Sequence, residues 1–234
     1  MTKVLVICPY PEGIAPSQRF RIEAFINKIG KEDDLTFSIK SFWSKSAFKI
    51  LYKEGHSLQK AYYLIRGFLS RAINLFQCIS ADYVLIHREA TPLGPAILEW
   101  KMAKILGKKV IFDFDDAIWL ENTSPNNKSI EKFKWHSQFY NICGIAYKIS
   151  DVNAYLKEEA ETRNNNVFLI PTVVDTEIYV PRKNENEKIT IGWTGSHSTI
   201  QYLNFIIPIL KELEKDLDFR FLVISDIRPD FELK

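Results

Sequence analysis

The sequence has few cysteines and no long apolar run that is free of charge. Its three cysteines, Cys8, Cys78 and Cys143, are widely spaced and form no CxxC pair. This argues against a disulfide framework and favours buried, reduced thiols in a cytosolic protein. The N-terminal segment has too short an apolar run for a signal peptide, and Arg66 and Arg71 interrupt the best candidate for a membrane span. We therefore expect a cytoplasmic protein that is soluble or, at most, peripheral at the inner face of a membrane.

The net charge is only +2, which argues against a nucleic-acid-binding protein. The charge is unevenly spread, because seven Lys/Arg and one acidic residue between Lys40 and Arg71 give this segment +6 and leave −4 for the remainder. Each basic side chain near anionic lipid contributes about 1 kcal/mol to binding. We predict that residues 40–77 form a membrane-facing surface, and the alternative is a solvated helix face over core aromatics. The side chains concerned are Lys45, Lys49, Lys53, Lys60, Arg66 and Arg71, interleaved with Trp43, Phe48, Tyr52, Tyr62, Tyr63 and Phe68.

Short apolar runs alternate with helical patterns through the first 170 residues. Because these runs are apolar on both faces, they indicate the buried strands of a parallel sheet. Their alternation with helices predicts a doubly wound, Rossmann-like α/β domain over residues 1–170. The predicted strands are 3–8, 35–42, 82–87, 108–114, 151–156 and 166–171, and the predicted helices include 45–78, 92–106 and 129–149.

The composition changes after residue 170. Residues 171–188 contain two prolines and a polar, charged run, which is typical of a linker. Residues 189–234 follow with one strand pattern, one helix pattern and a second strand pattern. Two strands and one helix cannot cover both faces of a parallel sheet. We therefore expect this segment to be the truncated start of a second Rossmann-like domain.

Polar residues follow several of the predicted strands. In an open parallel sheet, ligands bind at the carboxyl ends of the strands, so these residues are candidates for a site. The alternative is a solvated rim, which any α/β protein has. The candidates are Gly13, Arg19 and Arg21; His87, Arg88 and Glu89; Asp115 and Asp116; and Gly195, Ser196 and His197.

Two of these groups are typical of anion binding. Residues 13–21 place a glycine and a helix N-terminus beside two arginines, although ordinary capping by Ser17 explains the same pattern. GSHST, residues 195–199, suits a diphosphate, but it lacks both GxGxxG and a Walker lysine. No Ser-His-Asp order in the sequence is persuasive.

The segment VIFDFDDAIW, residues 110–119, crowds three aspartates at the end of an apolar strand. Clustered carboxylates suit a divalent cation, but no His or further acid nearby completes a coordination sphere. Asp116 alternatively accepts backbone hydrogen bonds within the turn. For Asp115 we favour contact with a polar ligand.

Six segments, in this order and spacing, resemble the retaining GT-B glycosyltransferases of family 4, group 1. The resemblance covers nearly the whole chain and implies two Rossmann-like domains that face each other across a cleft. It implies a glycan or lipid-linked acceptor on the N-terminal domain, a nucleotide-sugar on the C-terminal domain, and transfer of a hexose-type sugar in polysaccharide biosynthesis without a metal or other cofactor. The segments are KVLVICPYPEGIAPSQRFR, IHREATPLGPAILEW, VIFDFDDAIW, DVNAYL, IPTVVDTEIYVP and ITIGWTGSHST.

The resemblance also implies roles and shows departures. A histidine that contacts the donor sugar usually stands where this chain has Asp115, so we expect Asp115 to be catalytic. The usual Asn-Gly is replaced by Thr172-Val173, and the family's two-glutamate donor motif lies beyond residue 234. We therefore expect this chain alone to be inactive, and the alternative function is a non-catalytic acceptor-binding or partner-binding fragment. We expect acceptor or phosphate contacts from Gly13, Arg19, Arg21, His87, Arg88, Glu89 and Asp116, and donor contacts from Gly195, Ser196 and His197.

Overall fold

The computed structural model describes residues 1–29, 34–120, 132–181, 188–196 and 199–231. The chain divides into two compact units, Met1–Ile178 and Tyr179–Lys234. The division falls inside residues 171–188, the segment predicted as a linker. Each unit is described by itself below.

The first unit is built on a six-stranded sheet in the order β2-β1-β3-β4-β5-β6, in which every pair of neighbours is parallel. This confirms the predicted α/β, Rossmann-like, doubly wound sheet. The order means that the chain first moves from β1 to one edge and then returns to build the sheet on the other side of β1. The strands are Thr2–Cys8 (β1), Leu35–Ser41 (β2), Tyr83–His87 (β3), Lys109–Asp113 (β4), Lys148–Asp151 (β5) and Val167–Leu169 (β6).

Helices cover both faces of this sheet. One face packs Val6, Cys8 and Ile22, and the other packs a larger apolar cluster that includes Phe112 and Phe139. The helices are Pro16–Gln18 (α1), Ala24–Ile29 (α2), Lys45–Leu51 (α3), Ser57–Cys78 (α4), Ile97–Trp100 (α5), Gln138–Ile145 (α6) and Ala154–Glu161 (α7). The π-helical turns Arg19–Glu23 and Lys101–Ile105 join α1 to α2 and extend α5.

Four sequence-based assignments were wrong in their bounds. The single helix predicted at 45–78 is two helices, α3 and α4, separated by residues 52–56. The strand predicted at 151–156 ends at Asp151 and the helix α7 begins at Ala154, because the Asn153 side chain accepts a hydrogen bond from the Leu156 amide and caps that helix. The helix predicted at 92–106 begins only at Ile97. Within the predicted helix 129–149, only Gln138–Ile145 is α-helical, and residues 129–131 lie outside the described residues.

The helix α4 packs closely on the end of β2. A Cβ atom at Gly67 would lie 2.5 Å from the Phe42 ring, so only glycine allows this approach. The neighbouring Arg71 is fully buried and donates hydrogen bonds to the carbonyl groups of Cys8, Lys40 and Ala90. Burial among these neutral acceptors lowers the pKa of Arg71 to about 10. This arginine therefore ties α4 to the ends of β1 and β2.

The predicted membrane-facing surface must be corrected at these positions. Arg71 is 0% exposed and Trp43 is 7% exposed, so neither can contact a membrane. Both pack inside the protein against Phe42, Trp43 edge-on to its ring and Arg71 with the guanidinium over it. No helix among the described residues is long and apolar enough to cross a membrane.

The second unit contains a two-stranded parallel sheet, in which Ile189–Thr194 (β7) pairs with Phe219–Ile224 (β8). The helix Leu203–Leu213 (α8) connects them and is preceded by a 3-10 turn at Ile200–Tyr202. Leu203 and Leu210 are the buried residues of α8.

Candidate functional site

The strand order creates a switch point between β1 and β3 in the first unit. Adjacent crossovers leave these two strands in opposite directions, and open α/β sheets bind ligands in the crevice outside the carboxyl ends at such a point. Ser17 follows β1 and His87 ends β3. The Ser17 hydroxyl lies 2.9 Å from Nε2 of His87, so the two sides of the switch point meet through a hydrogen bond.

A buried polar network extends from this bond. Nδ1 of His87 lies 2.8 Å from Oδ2 of Asp113, at the end of β4. Asp113 also accepts a hydrogen bond from Nε of Arg21 at 3.1 Å and from the Ser150 hydroxyl at 2.6 Å. Burial would raise the pKa of Asp113, but the hydrogen bonds from His87 and Arg21 outweigh it and lower that pKa below its usual value. Asp113 is therefore held as a carboxylate inside the protein.

The structure thus brings together Ser17, His87 and Asp113, which sequence reasoning did not connect. Ser17 and His87 are 70 positions apart in the sequence, and His87 and Asp113 are 26 apart. Separations of this length form no motif that could be recognised in the sequence. A carboxylate at Nδ1 fixes the tautomer that leaves Nε2 as an acceptor for the serine hydroxyl. Because Asp113 is also paired with Arg21, we assign the network to positioning β1, β3 and β4 at the switch point.

The structure places the guanidinium of Arg21 inside the protein. Its guanidinium donates to Asp113, to the Ile170 carbonyl at 2.8 Å and to the Thr172 hydroxyl at 3.3 Å, and the residue is only 7% exposed. Its guanidinium is therefore engaged inside the protein, and the phosphate contact expected of Arg21 stays a prediction.

In the remainder of residues 13–21, Arg19 is the cationic side chain that is exposed to solvent. The Gly13 amide donates to Glu23 at 2.9 Å, so this amide is engaged within the loop. Arg19 is exposed and lies 5.3 Å from the centre of the Phe20 ring. Of the predicted anion-binding groups in this segment, Arg19 is the one whose guanidinium can meet a ligand.

Arg88, Asp115 and Asp116 form an ion cluster at the ends of β3 and β4. Nη1 of Arg88 lies 2.8 Å from Oδ2 of Asp116 and 3.7 Å from Oδ1 of Asp115. Burial would lower the pKa of Arg88, but Tyr10, Asp116 and Asp115 raise it. The backbone of Arg88 is left-handed, with φ of 64°, and its amide donates to the Asp113 carbonyl at 2.7 Å. Strain of this kind at a non-glycine residue is concentrated at functional sites.

Asp115 differs from Asp116 in how its oxygens are satisfied. The Asp115 side chain is 17% exposed, and its Oδ1 atom is buried without a hydrogen-bond donor among the described residues. Asp116 is 63% exposed and is paired directly with Arg88. A buried carboxylate oxygen that lacks a donor is costly, so Asp115 is the better candidate for contact with a polar ligand.

Glu89 is half-buried beside this cluster and accepts a hydrogen bond from Nε2 of Gln138 at 3.1 Å. Burial raises the pKa of Glu89 to about 7, although Arg88 and Lys134 oppose the shift. A carboxyl group with a pKa near neutrality can take up and release a proton at working pH. Glu89 is therefore a candidate general acid or base as well as a ligand contact.

Asp151, at the end of β5, was not among the predicted site residues. It is fully buried, neither carboxylate oxygen has a hydrogen-bond donor among the described residues, and burial raises its pKa to about 6. The predicted strand 151–156 placed Asp151 at the start of a strand instead of its carboxyl end. The correct strand bounds bring Asp151 to the same edge as Asp115.

The predicted donor residues belong to the second unit. A Cβ atom at Gly195 would lie 2.3 Å from the Trp193 ring, so this position requires glycine. The Gly195 amide donates to the Ile224 carbonyl at 3.0 Å, and the Ser196 amide donates to the Thr199 hydroxyl at 2.9 Å. His197 lies outside the described residues.

We expect Glu89→Gln to change the pH dependence of stability. With the folded pKa of Glu89 raised to about 7, its stabilising protonation is fully present below the unfolded value of 4.5 and is lost as pH rises through 7. Glutamine does not ionise, so the free energy of unfolding of the variant should rise relative to that of the wild type by on the order of 3 kcal/mol between pH 4.5 and about pH 7. Urea unfolding of both proteins across this range measures the difference. A difference that does not change with pH would contradict the buried, protonated state of Glu89.

No protein-family model matches the chain, and no curated protein matches it. Among solved structures, the chain is similar to Phytolacca americana UGT2 complexed with UDP-2-fluoro-glucose and pterostilbene. The TM-score is 0.48 and the identity 9%, over 97% of this chain and 72% of that chain. A similarity at this level carries no inference about activity, so what this chain does has to be argued from its own residues.

Proposed function

We propose that the chain is a nucleotide-sugar-dependent glycosyltransferase of the retaining, family 4 type, which transfers a hexose-type sugar to a glycan or lipid-linked acceptor in polysaccharide biosynthesis. The observation that carries the proposal is the buried Oδ1 of Asp115, which has no hydrogen-bond donor among the residues that the structure describes and lies 3.7 Å from Nη1 of Arg88 at the carboxyl edge of the sheet. In the resembling family, the same position contacts the donor sugar. A sugar hydroxyl would satisfy the oxygen.

The site supplies charges suited to glycosyl transfer. The reaction breaks the bond between the sugar carbon C1 and the diphosphate oxygen and joins C1 to an acceptor oxygen, through a transition state with positive charge on the ring. Asp115, as the proposed catalytic residue, stabilises that positive charge. Glu89 can hold or release the acceptor proton, because its pKa lies near neutrality. Arg19 and Arg88 contact acceptor phosphate, and Asp116 orients Arg88.

His87 and Arg21 act on the site indirectly. His87 is 0% exposed and Arg21 is 7% exposed, which supports a role in which both position the strand ends through Asp113. Gly13 shapes the loop beside Arg19. On the donor side we propose Gly195, Ser196 and His197 as the contacts for a diphosphate, with the nucleotide-sugar as a substrate and no resident cofactor.

The second unit carries the proposed donor-binding residues, so its structure affects how well the chain alone can bind a nucleotide-sugar. Its described residues supply two strands and one helix. We propose that donor binding by the chain alone is weak and that efficient transfer needs further nucleotide-binding elements. The same observation favours a second candidate, a non-catalytic module that binds the acceptor or a partner. We also propose a cytoplasmic location, peripheral to the inner face of a membrane.

A thermal-shift screen with nucleotide-sugars tests the proposal. A ligand that binds only the folded state raises its stability, by about 2.7 kcal/mol at 100 times its Kd. We expect at least one of the UDP-, GDP-, dTDP- and ADP-sugars to raise the Tm at millimolar concentration, and Asp115→Asn to weaken the shift caused by the sugar more than that caused by the free nucleotide. If no nucleotide-sugar shifts the Tm beyond inorganic diphosphate, the donor assignment fails and the non-catalytic module is favoured.

A further inference from the structure

The outward side of α4 is apolar along its whole length. Leu58 is 89% exposed, Leu69 63% and Phe76 74%, and none of these side chains packs within the core. The side chains that α4 buries are Gly67, Arg71, Asn74 and Cys78. The complete set of exposed large apolar residues on α4 is Leu58, Tyr62, Ile65, Phe68, Leu69, Ile73 and Phe76.

This arrangement reverses the usual pattern of a surface helix. A helix on a globular domain normally turns its apolar stripe to the core and its polar face to water. At 3.6 residues per turn, Leu58, Tyr62, Ile65, Leu69 and Phe76 fall on one side of α4, opposite the buried set. Contiguous exposed apolar surface of this kind marks an interaction site, whereas single exposed apolar residues do not.

The breadth of the face indicates which kind of partner it fits. A two-stranded coiled coil uses a narrow apolar seam flanked by charged side chains. The flanking positions here include Ala61, Phe68 and Ile73, which are apolar and exposed. A broad apolar face whose flanks are mainly apolar fits a lipid interface, in which a helix lies in the membrane plane with that face in the acyl boundary.

The charges next to α4 are nearly all positive. Residues 45–81 contain six Lys/Arg and a single acidic residue, Glu54. Lys45, Lys49, Lys53 and Arg66 are exposed. Basic side chains at the edge of an apolar helix face attract anionic headgroups, each contributing about 1 kcal/mol.

A cleft beside α4 offers a place for a phosphate. It has a volume of about 450 Å³ and is lined by Lys45 and Arg66 together with the hydroxyl groups of Ser41, Ser44 and Ser70, with Glu12 also on its wall. Neither Lys45 nor Arg66 forms an ion pair with another described residue. Two cations and several hydroxyls suit a lipid phosphate.

We propose that α4 docks the protein on an anionic phospholipid bilayer, with the outward face of α4 in the acyl boundary and Lys45 and Arg66 on lipid phosphates. This surface replaces the one that included Trp43 and Arg71. It is a property of the first unit and stands without the proposed activity, although it deepens that proposal by favouring a lipid-linked acceptor.

Tyr62 and Tyr155 provide a matched pair for the test. Both are exposed tyrosines on helices, 61% and 58% exposed, but Tyr155 lies on α7 at the other end of the sheet. We expect the wild type to co-sediment with vesicles containing phosphatidylglycerol and not with pure phosphatidylcholine. Tyr62→Glu combined with Leu69→Glu should weaken that binding about 100-fold or more, since burying two such side chains is worth a few kcal/mol. Tyr155→Glu should leave binding unchanged.

Two further measurements separate the possible outcomes. The native cysteines are buried, so an environment-sensitive fluorophore on Leu69→Cys reports only that position; its emission should shift to the blue with anionic vesicles, and a label on Tyr155→Cys should not shift. Lys45→Gln with Arg66→Gln should weaken binding about 30-fold at low salt, since each of the two cations contributes about 1 kcal/mol. Free inorganic phosphate should compete poorly, because it lacks the acyl chains that the apolar face binds. Absence of vesicle binding, equal effects of the Tyr62 and Tyr155 variants, or a concentration-dependent blue shift without lipid would overturn the proposal. The last result would assign the face to a second copy of the chain.

Discussion

Replacing Asp113 by asparagine should lower the free energy of unfolding by about 3–5 kcal/mol, the effect expected when one partner of a buried ion pair is removed. Asp113 accepts hydrogen bonds from Arg21, His87 and Ser150 while only 4% exposed. Asparagine keeps the shape of the side chain but removes its charge. Its NH2 group is a donor and would face the donor groups of Arg21, His87 or Ser150. The guanidinium of Arg21 is then buried without a counter-charge.

Asp116→Asn is the matched control. Asp116 is 63% exposed and forms a surface pair with Arg88, so this change should alter stability by about 1 kcal/mol or less. Urea unfolding of both variants at neutral pH measures the contrast. Equal, small effects of the two substitutions would show that the Asp113 network does not hold the strand ends together.

The pH dependence of the same network has a definite sign. The folded pKa of Asp113 is lowered, so its contribution to stability is present above the unfolded pKa and is lost as pH falls through the folded value. The free energy of unfolding of the wild type should therefore fall more steeply on acidification than that of Asp113→Asn, because only the wild type has the Asp113 carboxylate to protonate.

Replacing Asp115 by asparagine should lower sugar transfer about 100-fold or more, the scale expected for a group that acts on the transition state. The substitution keeps the size of the side chain and removes the negative charge that faces the sugar. Because Oδ1 of Asp115 has no hydrogen-bond partner in the described part of the chain and lies 3.7 Å from Nη1 of Arg88, the stability of the fold depends on this charge much less than on that of Asp113. The variant should remain folded, with a Tm close to that of the wild type.

Two observations separate catalysis from structure for Asp115. Asp116→Asn should reduce transfer less than Asp115→Asn, because Asp116 acts on the site through Arg88. The reduction for Asp115→Asn should fall mainly on kcat, since the interaction is stronger in the transition state than in the bound substrate. Unchanged kinetics of Asp115→Asn would show that Asp115 has a structural role in the turn after β4 and no catalytic one.

The sheet could be predicted from the sequence because its strands are short, apolar runs separated by helical patterns. The runs ending at Cys8, His87 and Asp113 have this character and were placed within two residues of their observed bounds. The strand ending at Asp151 was misplaced because ISD and the following VNAYL are equally compatible with an extended chain. The deciding feature was a side-chain cap at Asn153, whose hydrogen bond depends on local geometry.

The candidate site was only partly predictable, since strand ends identify which residues share an edge but not which are buried. His87 and Arg21 were expected to meet ligand, but the register of β3 with β4 places His87 directly opposite Asp113. The resulting network turns both side chains inward. The orientation of α4 likewise became clear only from the structure, in which Gly67, Arg71, Asn74 and Cys78 are buried and the apolar side faces out.

The most direct test of the central claim is transfer of labelled sugar from a panel of nucleotide-sugars in extracts of the source cells, where any element that completes the donor site is present. The native gene would be replaced by one encoding Asp115→Asn, with Asp116→Asn as the control. We predict that incorporation into a lipid or glycan fraction falls about 100-fold in the Asp115→Asn extract, and that the purified wild-type chain restores it. Equal incorporation by the Asp115→Asn and wild-type extracts would contradict the account.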